Sequence, residues 1–335
     1  MCYDKPFKDF DEQIQILKDR KLIIEDKDFA IKALQTLSYY DLINGYKECF
    51  TKDDEYDGET TFLDLYILHN FNRTFQNVLF KYTVYIETHF KTILAYVISK
   101  NYSVDENLYL NKNNFINPNS TEKKKILNAT LKRVNNIFKN KNIEDMDEPT
   151  RHYKKCKNHI PPWILFKNIN FADAVNIYSF LRGSDKEEVC NLILSHIDIP
   201  INDKKELLKN SLTIIRKFRN KIAHNLKFIT YKTDKKYLNY DILKNTDYKL
   251  FLKFLPSLNV DYDNAYSMII SMFILISDDF LINQIACDIE YALSMFKQKA
   301  LNQRIFEKFF SISEIPEDIQ KIAYMFSFKD MFPTT

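Results

Sequence analysis

Three polar side chains capable of acid–base chemistry fall within six positions of the chain, at Arg219, Asn220 and His224. Histidine exchanges protons near neutral pH, and arginine presents a planar, permanently charged fork to a phosphate. Asparagine can hold an imidazole tautomer or a phosphate oxygen. These groups suffice to cleave RNA without a metal, with the ribose 2′-hydroxyl as nucleophile, so DNA is not an expected substrate. A solvated helix face without catalytic function is the alternative interpretation.

Helical spacing predicts that these side chains share a surface. Arg216, Asn220 and His224 follow one another at intervals of four residues, and Arg219 lies beside Asn220, so Arg216 is a candidate supporting residue. The opposite side of the same segment is apolar, with Leu207, Leu208, Leu212, Ile215, Phe218, Ile222 and Ala223. We therefore predict a helix that buries one side and presents a polar patch on the other.

The composition favours an all-α fold. The 335 residues are 45% hydrophobic and 28% charged, and only three are glycine. Loops that cradle nucleotide phosphates need several glycines, so enzymes of those classes are unexpected. Apolar residues recur at helical period along most of the chain. From Thr61 the pattern predicts either one long helix or two helices broken near Arg73–Thr74. No cofactor is expected for this chain.

Three regions are expected. Residues 1–56 form an N-terminal helical module, 57–246 a helical core with a basic insertion at about 101–160, and 247–335 a helical C-terminal extension. The acidic segment 53–60 is predicted to be a linker, and the segment 144–163, which is closed by Pro161–Pro162, is predicted to be a polar loop. Another helical stretch is predicted from Trp163. The segment KFITYKT at 227–233 is the one candidate for a short β-ribbon.

A local surplus of positive charge marks residues 122–158. This segment holds eleven Lys/Arg against five Asp/Glu, whereas the whole chain has a net charge of only +3. Asn119 with Glu122 predicts a capping box at the start of a basic helix. The surplus suits a surface that contacts phosphates, although a solvated insertion is equally compatible. The candidate RNA-binding residues are Lys123, Lys124, Lys125, Lys132, Arg133, Lys139, Arg151, Lys154 and Lys155.

Other kinds of site are less well supported. His152, Cys156 and His159 provide three possible metal ligands among several lysines, fewer than the four that zinc usually takes, so no metal site is predicted. The N-terminal region could also be a helix-turn-helix that reads DNA, but its predicted second helix, KDFAIKALQTL at 27–37, offers few side chains for contacts to base edges. Tyr39, Tyr40 and Tyr46 are more compatible with packing than with stacking on bases.

The start of the chain and its apolar runs favour a cytoplasmic protein without a membrane segment. The N-terminus is charged and lacks the apolar stretch of a secretory signal. The longest apolar run, MIISMFILIS at 268–277, is too short to span a bilayer. Five scattered cysteines suit a reducing compartment.

Several ordered motifs resemble a known family. The hexapeptide RNKIAH at 219–224 is similar to the R-N-x3-H ribonuclease motif of HEPN domains and to the RNxxAH motif of the abortive-infection Abi-like family (AbiD/AbiF type). SYYDLINGY at 38–46 resembles an opening element of that family, and Arg73 and Glu87 match its long helix. YLNKNNF at 109–115 and IPPW at 160–163 follow in the expected order. The likeness covers most of residues 5 to 230.

The resemblance implies an all-helical, HEPN-like bundle that acts as a metal-independent endoribonuclease in anti-phage abortive infection. It implies a homodimer in which two R-N-x3-H motifs form one composite site, with Glu87 orienting Arg219 or His224. It also implies an associated structured noncoding RNA. Lys91, Lys167 and Phe171–Ala172 depart from the family pattern. The alternative is a catalytically silent RNA-binding or regulatory scaffold protein.

Overall fold

Helices dominate the computed structural model, which describes residues 4–139, 142–224, 228–252, 263–297 and 303–327. The predicted all-α fold is confirmed. The α-helices are α1 (Phe10–Asp19), α2 (Lys27–Thr36), α3 (Phe62–Asn101), α4 (Glu106–Tyr109), α5 (Thr121–Phe138), α6 (Thr150–Cys156), α7 (Pro162–Asn168), α8 (Phe171–Phe180), α9 (Gly183–Ile193), α10 (Ile201–Ala223), α11 (Tyr240–Leu243), α12 (Lys249–Leu252), α13 (Ala265–Leu275), α14 (Asp279–Lys297), α15 (Gln303–Ser313) and α16 (Ile319–Ser327). Short 3-10 turns span Lys47–Cys49, Lys112–Asn114 and Ile143–Asp145, and a π-helical turn spans Tyr40–Asn44.

The long helix α3 is the element against which much of the structure packs. Its 40 residues span about 60 Å at 1.5 Å per residue. A capping box between Thr61 and Asp64 begins it, and it continues without a break through Arg73–Thr74. Helices α7, α8, α9, α10, α13, α14 and α15 contact it along its length. The sequence left one helix or two open, and the structure has one.

The N-terminal region contains a β-hairpin that the sequence did not predict. Thr51–Lys52 pairs with Glu55–Tyr56 in antiparallel register. The turn residues Asp53 and Asp54 have φ of 51° and 67°, which aspartate tolerates better than most residues. Tyr56 is buried, so the prediction of a linker at 53–60 is wrong in its first half.

The predicted ribbon at 227–233 is absent from its described part. Residues 228–233 contain no strand, and Lys227 lies outside the described residues. Thr233 instead donates its backbone N–H to the carbonyl oxygen of Asp263 at 2.7 Å. This segment therefore packs against the C-terminal region as irregular chain.

Two further local predictions are corrected between residues 119 and 180. The N-cap of α5 is Ser120, which makes no side-chain capping bond, so the predicted capping box of Asn119 and Glu122 is absent. The segment before Pro161, predicted to be a polar loop, contains the short helix α6. The stretch from Trp163 forms α7 and α8 rather than one helix, since Ile169 has extended backbone and Asn170 caps α8.

One apolar cluster of buried residues extends from Ile14 to Phe326 and so includes residues of all three predicted regions. Every residue of α13 is buried, which explains the apolar run at 268–277 as a core helix. None of the described helices combines the length and the apolarity needed to cross a bilayer. The three-region division stays a prediction.

Candidate active site

Helix α10 positions the candidate catalytic residues. Its buried side packs against α3, α8, α9 and α13 and consists of Leu207, Leu208, Ser211, Leu212, Ile214, Ile215, Phe218 and Ile222. Ala223, which the sequence analysis assigned to this buried side, is exposed because the helix ends there. Arg216, Arg219 and Asn220 are half-buried at the edge of the packed surface. The core therefore holds the helix and leaves these polar groups at the boundary with solvent.

The guanidinium of Arg219 makes only long polar contacts. Its Nη2 lies 3.5 Å from Oε2 of Glu87, and its Nη1 donates to Oδ1 of Asn220 at 3.4 Å. Both distances are longer than those of ordinary charge-assisted hydrogen bonds. Its Nε is buried and has no partner among the described residues. Phe80 lies beneath the group, with its ring centre 6.0 Å away. Arg219 is thus held in place without saturating its five N–H donors.

Glu87 has a closer partner than Arg219. Its Oε1 accepts from Nζ of Lys91 at 2.6 Å, and Lys91 also donates to the carbonyl oxygen of Ile169 at 2.6 Å. The side chains of Glu87 and Lys91 are each 12% exposed, against 32% for Arg219. The lysine at the position where the family pattern has arginine is therefore the closer cationic partner of Glu87.

His224 stands at the C-cap of α10 rather than within the helix. Its φ of −92° and ψ of 13° depart from helical values, although its backbone N–H still donates to the Asn220 carbonyl oxygen at 3.1 Å. The residue is exposed, and its imidazole ring makes no hydrogen bond with the described part of the chain. Arg216 and Asn220 therefore lie within the helix, one turn apart, whereas His224 follows its last helical residue. Asn225 lies outside the described residues.

Arg216 lies one turn before Asn220 and is also half-buried. Its Nε is buried without a partner among the residues that the structure describes. A buried guanidinium nitrogen without a hydrogen bond carries a desolvation penalty. Arg216 and Arg219 share this feature.

The comparison with protein families identifies this region. The family model described as Abi-like protein matches residues 32–230. The chain belongs to the Abi-like family. The match begins in α2, contains Glu87 and all of α10, and connects the chain with abortive infection. No curated protein and no solved structure matches the chain.

Most of the lysines predicted to bind RNA lie on α5 or at its C-cap, within the Abi-like region, and are presented to solvent. Five of them occupy exposed positions and form no ion pair within the described ranges: Lys123, Lys124, Lys125, Lys132 and Lys139. The apolar side of α5 is buried against α6, α7 and α8, so the solvent side is predominantly cationic. This arrangement leaves the ammonium groups free to contact phosphates.

The predicted RNA contacts on arginine differ from the lysines in having acidic partners. Nε of Arg133 donates to both oxygens of Asp173, at 3.0 and 3.2 Å, and this pairing raises the pKa of Arg133. Arg151 donates to Glu148 at 2.9 Å. Arg133 therefore ties α5 to α8, and both arginines are less available to phosphate than the free lysines are.

The same holds for one of the two predicted lysines in α6. Lys155 is bound to Glu144, whereas Lys154 is exposed and has no ion pair in the described part of the chain. The free cations of the predicted surface are therefore concentrated on α5, with Lys154 as an addition.

A lysine cluster that sequence reasoning missed lies beside the start of α5. Lys186 is half-buried, and its pKa is lowered, first by burial and then by the charges of Lys209, Lys205 and Lys123. Lys205 is neutralised by Glu187 at 2.7 Å. The cluster joins α9 and α10 to the basic surface, and its members are too far apart in sequence for any local pattern to reveal it.

The candidate metal ligands and the three tyrosines named from the sequence do not form a common site in the described part of the chain. Within the described ranges no three His, Cys, Asp or Glu side chains are placed to hold a metal ion, and His159 instead lies 2.7 Å from Oδ1 of Asn158. Tyr46 is buried and Tyr39 half-buried, and burial raises the pKa of both phenols. Tyr40 is 63% exposed. The aromatic cluster is therefore partly packing and partly surface.

Proposed function

We propose that this Abi-like protein is a metal-independent endoribonuclease of an anti-phage abortive-infection system. The observation that carries the proposal is the state of Arg219. Its side chain is 32% exposed, its polar contacts within the described residues are 3.4 and 3.5 Å long, and it stands on the helix whose C-cap is the exposed His224. A cation positioned this way can exchange weak internal contacts for the stronger contacts that a phosphate offers.

The chemistry follows from these groups. A histidine accepts the proton of a ribose 2′-hydroxyl, whose oxygen attacks the adjacent phosphorus. The P–O5′ bond breaks, and the departing 5′-oxygen receives a proton from a second histidine. The products are a 2′,3′-cyclic phosphate and a 5′-hydroxyl. Arg219 stabilises the negative charge that accumulates on the phosphoryl oxygens, and Asn220 and Arg216 orient the phosphoryl group.

A second copy of the chain completes the proposed site. The sequence contains one R-N-x3-H motif, and one imidazole does not easily act as base and acid in the same step. A two-fold homodimer that brings two α10 C-termini together would supply both histidines. The exposed position of His224 at a helix end is compatible with such a meeting.

The basic side of α5 is the proposed contact for RNA outside the cleavage site. Its five free lysines and the Lys186 cluster form a surface suited to a structured noncoding RNA as well as to the substrate. Binding there depends on salt, because it releases counterions from the nucleic acid.

The test is cleavage of RNA by the wild type and by His224→Ala and Arg219→Ala variants, with EDTA present. Loss of an acid–base group lowers the rate by about 10²–10⁴-fold. His152→Ala removes another exposed histidine, in α6, and is the matched control with unchanged cleavage. Mass spectrometry should find 2′,3′-cyclic phosphate ends. Equal, negligible cutting by all four proteins together with salt-sensitive RNA binding would favour the silent scaffold instead.

A further inference from the structure

A cleft separate from the Arg219 contacts lies where the N-terminal region meets α3 and the end of α10. Its volume is about 490 Å³, which is enough for a small organic ligand. It is lined by Tyr40, His69, Asn72, Arg73, Gln76 and Lys221, among others. The three elements that form it come from distant parts of the sequence, so no local motif marks the cleft.

The α3 wall of the cleft contains buried polar atoms without partners. His69, Asn72 and Gln76 occupy one side of the helix and are 5%, 2% and 1% exposed. Nδ1 of His69, Oδ1 of Asn72 and Oε1 of Gln76 are buried and lack a hydrogen-bond partner in the described ranges. Asn72 uses its Nδ2 to donate to the Tyr46 hydroxyl at 3.0 Å, which leaves its oxygen as an acceptor. Three such atoms side by side are a cost to stability that a ligand with N–H donors would remove.

The cleft also holds cations that no carboxylate neutralises. Arg73 and Lys221 form no ion pair within the described part of the chain, and Lys221 lies 4.7 Å from the ring centre of Tyr231. Of the two acids that line the cleft, Asp41 accepts a hydrogen bond from Ser38 and Glu48 is exposed. An anionic group on the ligand would therefore find Arg73 and Lys221 available.

Tyr40 adds an exposed aromatic ring at the boundary of the cleft. The same residue lines a second, neighbouring cleft of about 670 Å³. Of the basic residues there, Lys8, Arg20 and Lys47 are paired with Glu12 or Asp54, whereas Lys5 forms no ion pair within the described residues. A phenol ring that is 63% exposed between two clefts offers a face on which a planar group can stack. Its position, with basic residues on both sides, suits a strand that passes over the ring.

We propose that this cleft binds one nucleotide, with the base stacked on Tyr40, its N–H groups facing the acceptors of Asn72 and Gln76, and its phosphate bound by Arg73. The second cleft continues past the Tyr40 ring, and this continuity favours a nucleotide within a single-stranded RNA over a free one. That choice of source rests on the proposed function, whereas the site itself does not.

The test is equilibrium binding of two probes to the full chain carrying His224→Ala, so that cleavage cannot interfere. The probes are a fluorescently labelled four-residue oligoadenylate RNA and adenosine 5′-monophosphate as competitor. Tyr40→Ala and Arg73→Gln should each weaken binding about tenfold, the usual effect of losing one base stack or one phosphate contact. Tyr40 is exposed, so its variant tests the site without disturbing the core.

Matched controls lie on α3 outside the cleft. Tyr96→Ala removes another exposed tyrosine, 55% exposed, and Lys100→Gln removes another positive charge. Both should bind as the parent does. If Tyr40→Ala and Arg73→Gln weaken RNA binding and adenosine 5′-monophosphate does not compete with the RNA, the site is assigned to an RNA strand. If the monophosphate does compete, the site is assigned to a free nucleotide. Equal affinities of the parent, Tyr40→Ala and Arg73→Gln, or no binding by the parent, would overturn the proposal.

The outcome is independent of the nuclease proposal. If the wild type cleaves RNA and Tyr40→Ala changes neither cleavage nor binding, the proposal for the cleft is wrong and the proposed active site is unaffected. Specific binding at the cleft with no cleavage by the wild type would do the reverse. Gln76→Leu gives a further readout, because it removes an unpaired buried oxygen: it should raise the melting temperature while weakening binding.

Discussion

The two cations beside Glu87 are predicted to differ in how strongly they are coupled to it. Lys91 contacts the carboxylate at 2.6 Å and Arg219 at 3.5 Å. The perturbation is a pair of double-mutant cycles that combine Glu87→Gln with Lys91→Gln and Glu87→Gln with Arg219→Gln. If Arg219 is kept available for a phosphate, its coupling to Glu87 in the free protein must be the weaker one.

The structure sets the expected magnitudes. Glu87 and Lys91 are each 12% exposed, so their short contact is poorly screened and should be worth about 1–2 kcal/mol of coupling. Arg219 is 32% exposed and its contact is long, so its coupling should be about 0.5 kcal/mol, as for surface pairs. Glu87→Gln alone should lower the free energy of unfolding by about 2 kcal/mol, since it weakens both contacts.

Urea unfolding followed by circular dichroism provides the free energies of unfolding for the parent, the three single variants and the two double variants. Lys81→Gln is the control for removing a lysine charge from α3, because Lys81 pairs with Asp288 at a half-exposed site. A coupling of Glu87 to Arg219 as large as that to Lys91 would refute the reasoning. Arg219 would then form a structural ion pair with Glu87 and would not be available to bind a ligand.

Two further predictions follow from the charges of the structure. Lys124→Gln combined with Lys132→Gln should reduce the slope of the salt dependence of RNA binding by about 1.4–1.8, the value expected if each lysine contacts one phosphate. Lys81→Gln should not change the slope, and an unchanged slope in the double variant would remove α5 from the proposed RNA-binding surface. Burial, and then the charge of Arg73, lower the pKa of His69 in the folded protein. Below about pH 6.5, the ordinary pKa of histidine, the unfolded chain therefore binds a proton at His69 more readily than the folded chain does. The free energy of unfolding should fall between pH 7.5 and 5.5, and His69→Gln should make that fall smaller in urea titrations at the two pH values; an equal fall in both proteins would contradict this assignment.

Much of the helical architecture could be predicted because its signals are local. The apolar period of 206–222 predicts the buried side of α10, and the continuous stripe from Leu65 to Leu94 predicts α3. The hairpin at 51–56 was missed because its strands have two residues each, too few to show alternation. The absent capping box at Asn119 shows a similar limit, because a side-chain pattern of the right spacing does not guarantee the bond.

The candidate site was predictable in its residue types but not in its geometry. The spacing of Arg219 and His224 indicated one surface, yet the helix ends between them, and termination depends on how the following chain packs. The family resemblance brought Glu87 to attention. The structure adds that Lys91 binds Glu87 more closely than Arg219 does, so the departure from the family pattern retains the role of a cation.

The sequence by itself determined that the chain forms helices and where most of them lie, and it named the candidate residues for acid–base chemistry, because composition and periodicity act over neighbouring residues. Only the tertiary structure decided which of the many cations are free. Arg133 is bound to Asp173 forty positions away, whereas Arg73 and Lys221, which are far apart in the sequence, line the same cleft and have no ion pair within the described residues. Such pairings depend on distances in space, and charge is available to a ligand only where folding has placed no carboxylate beside it.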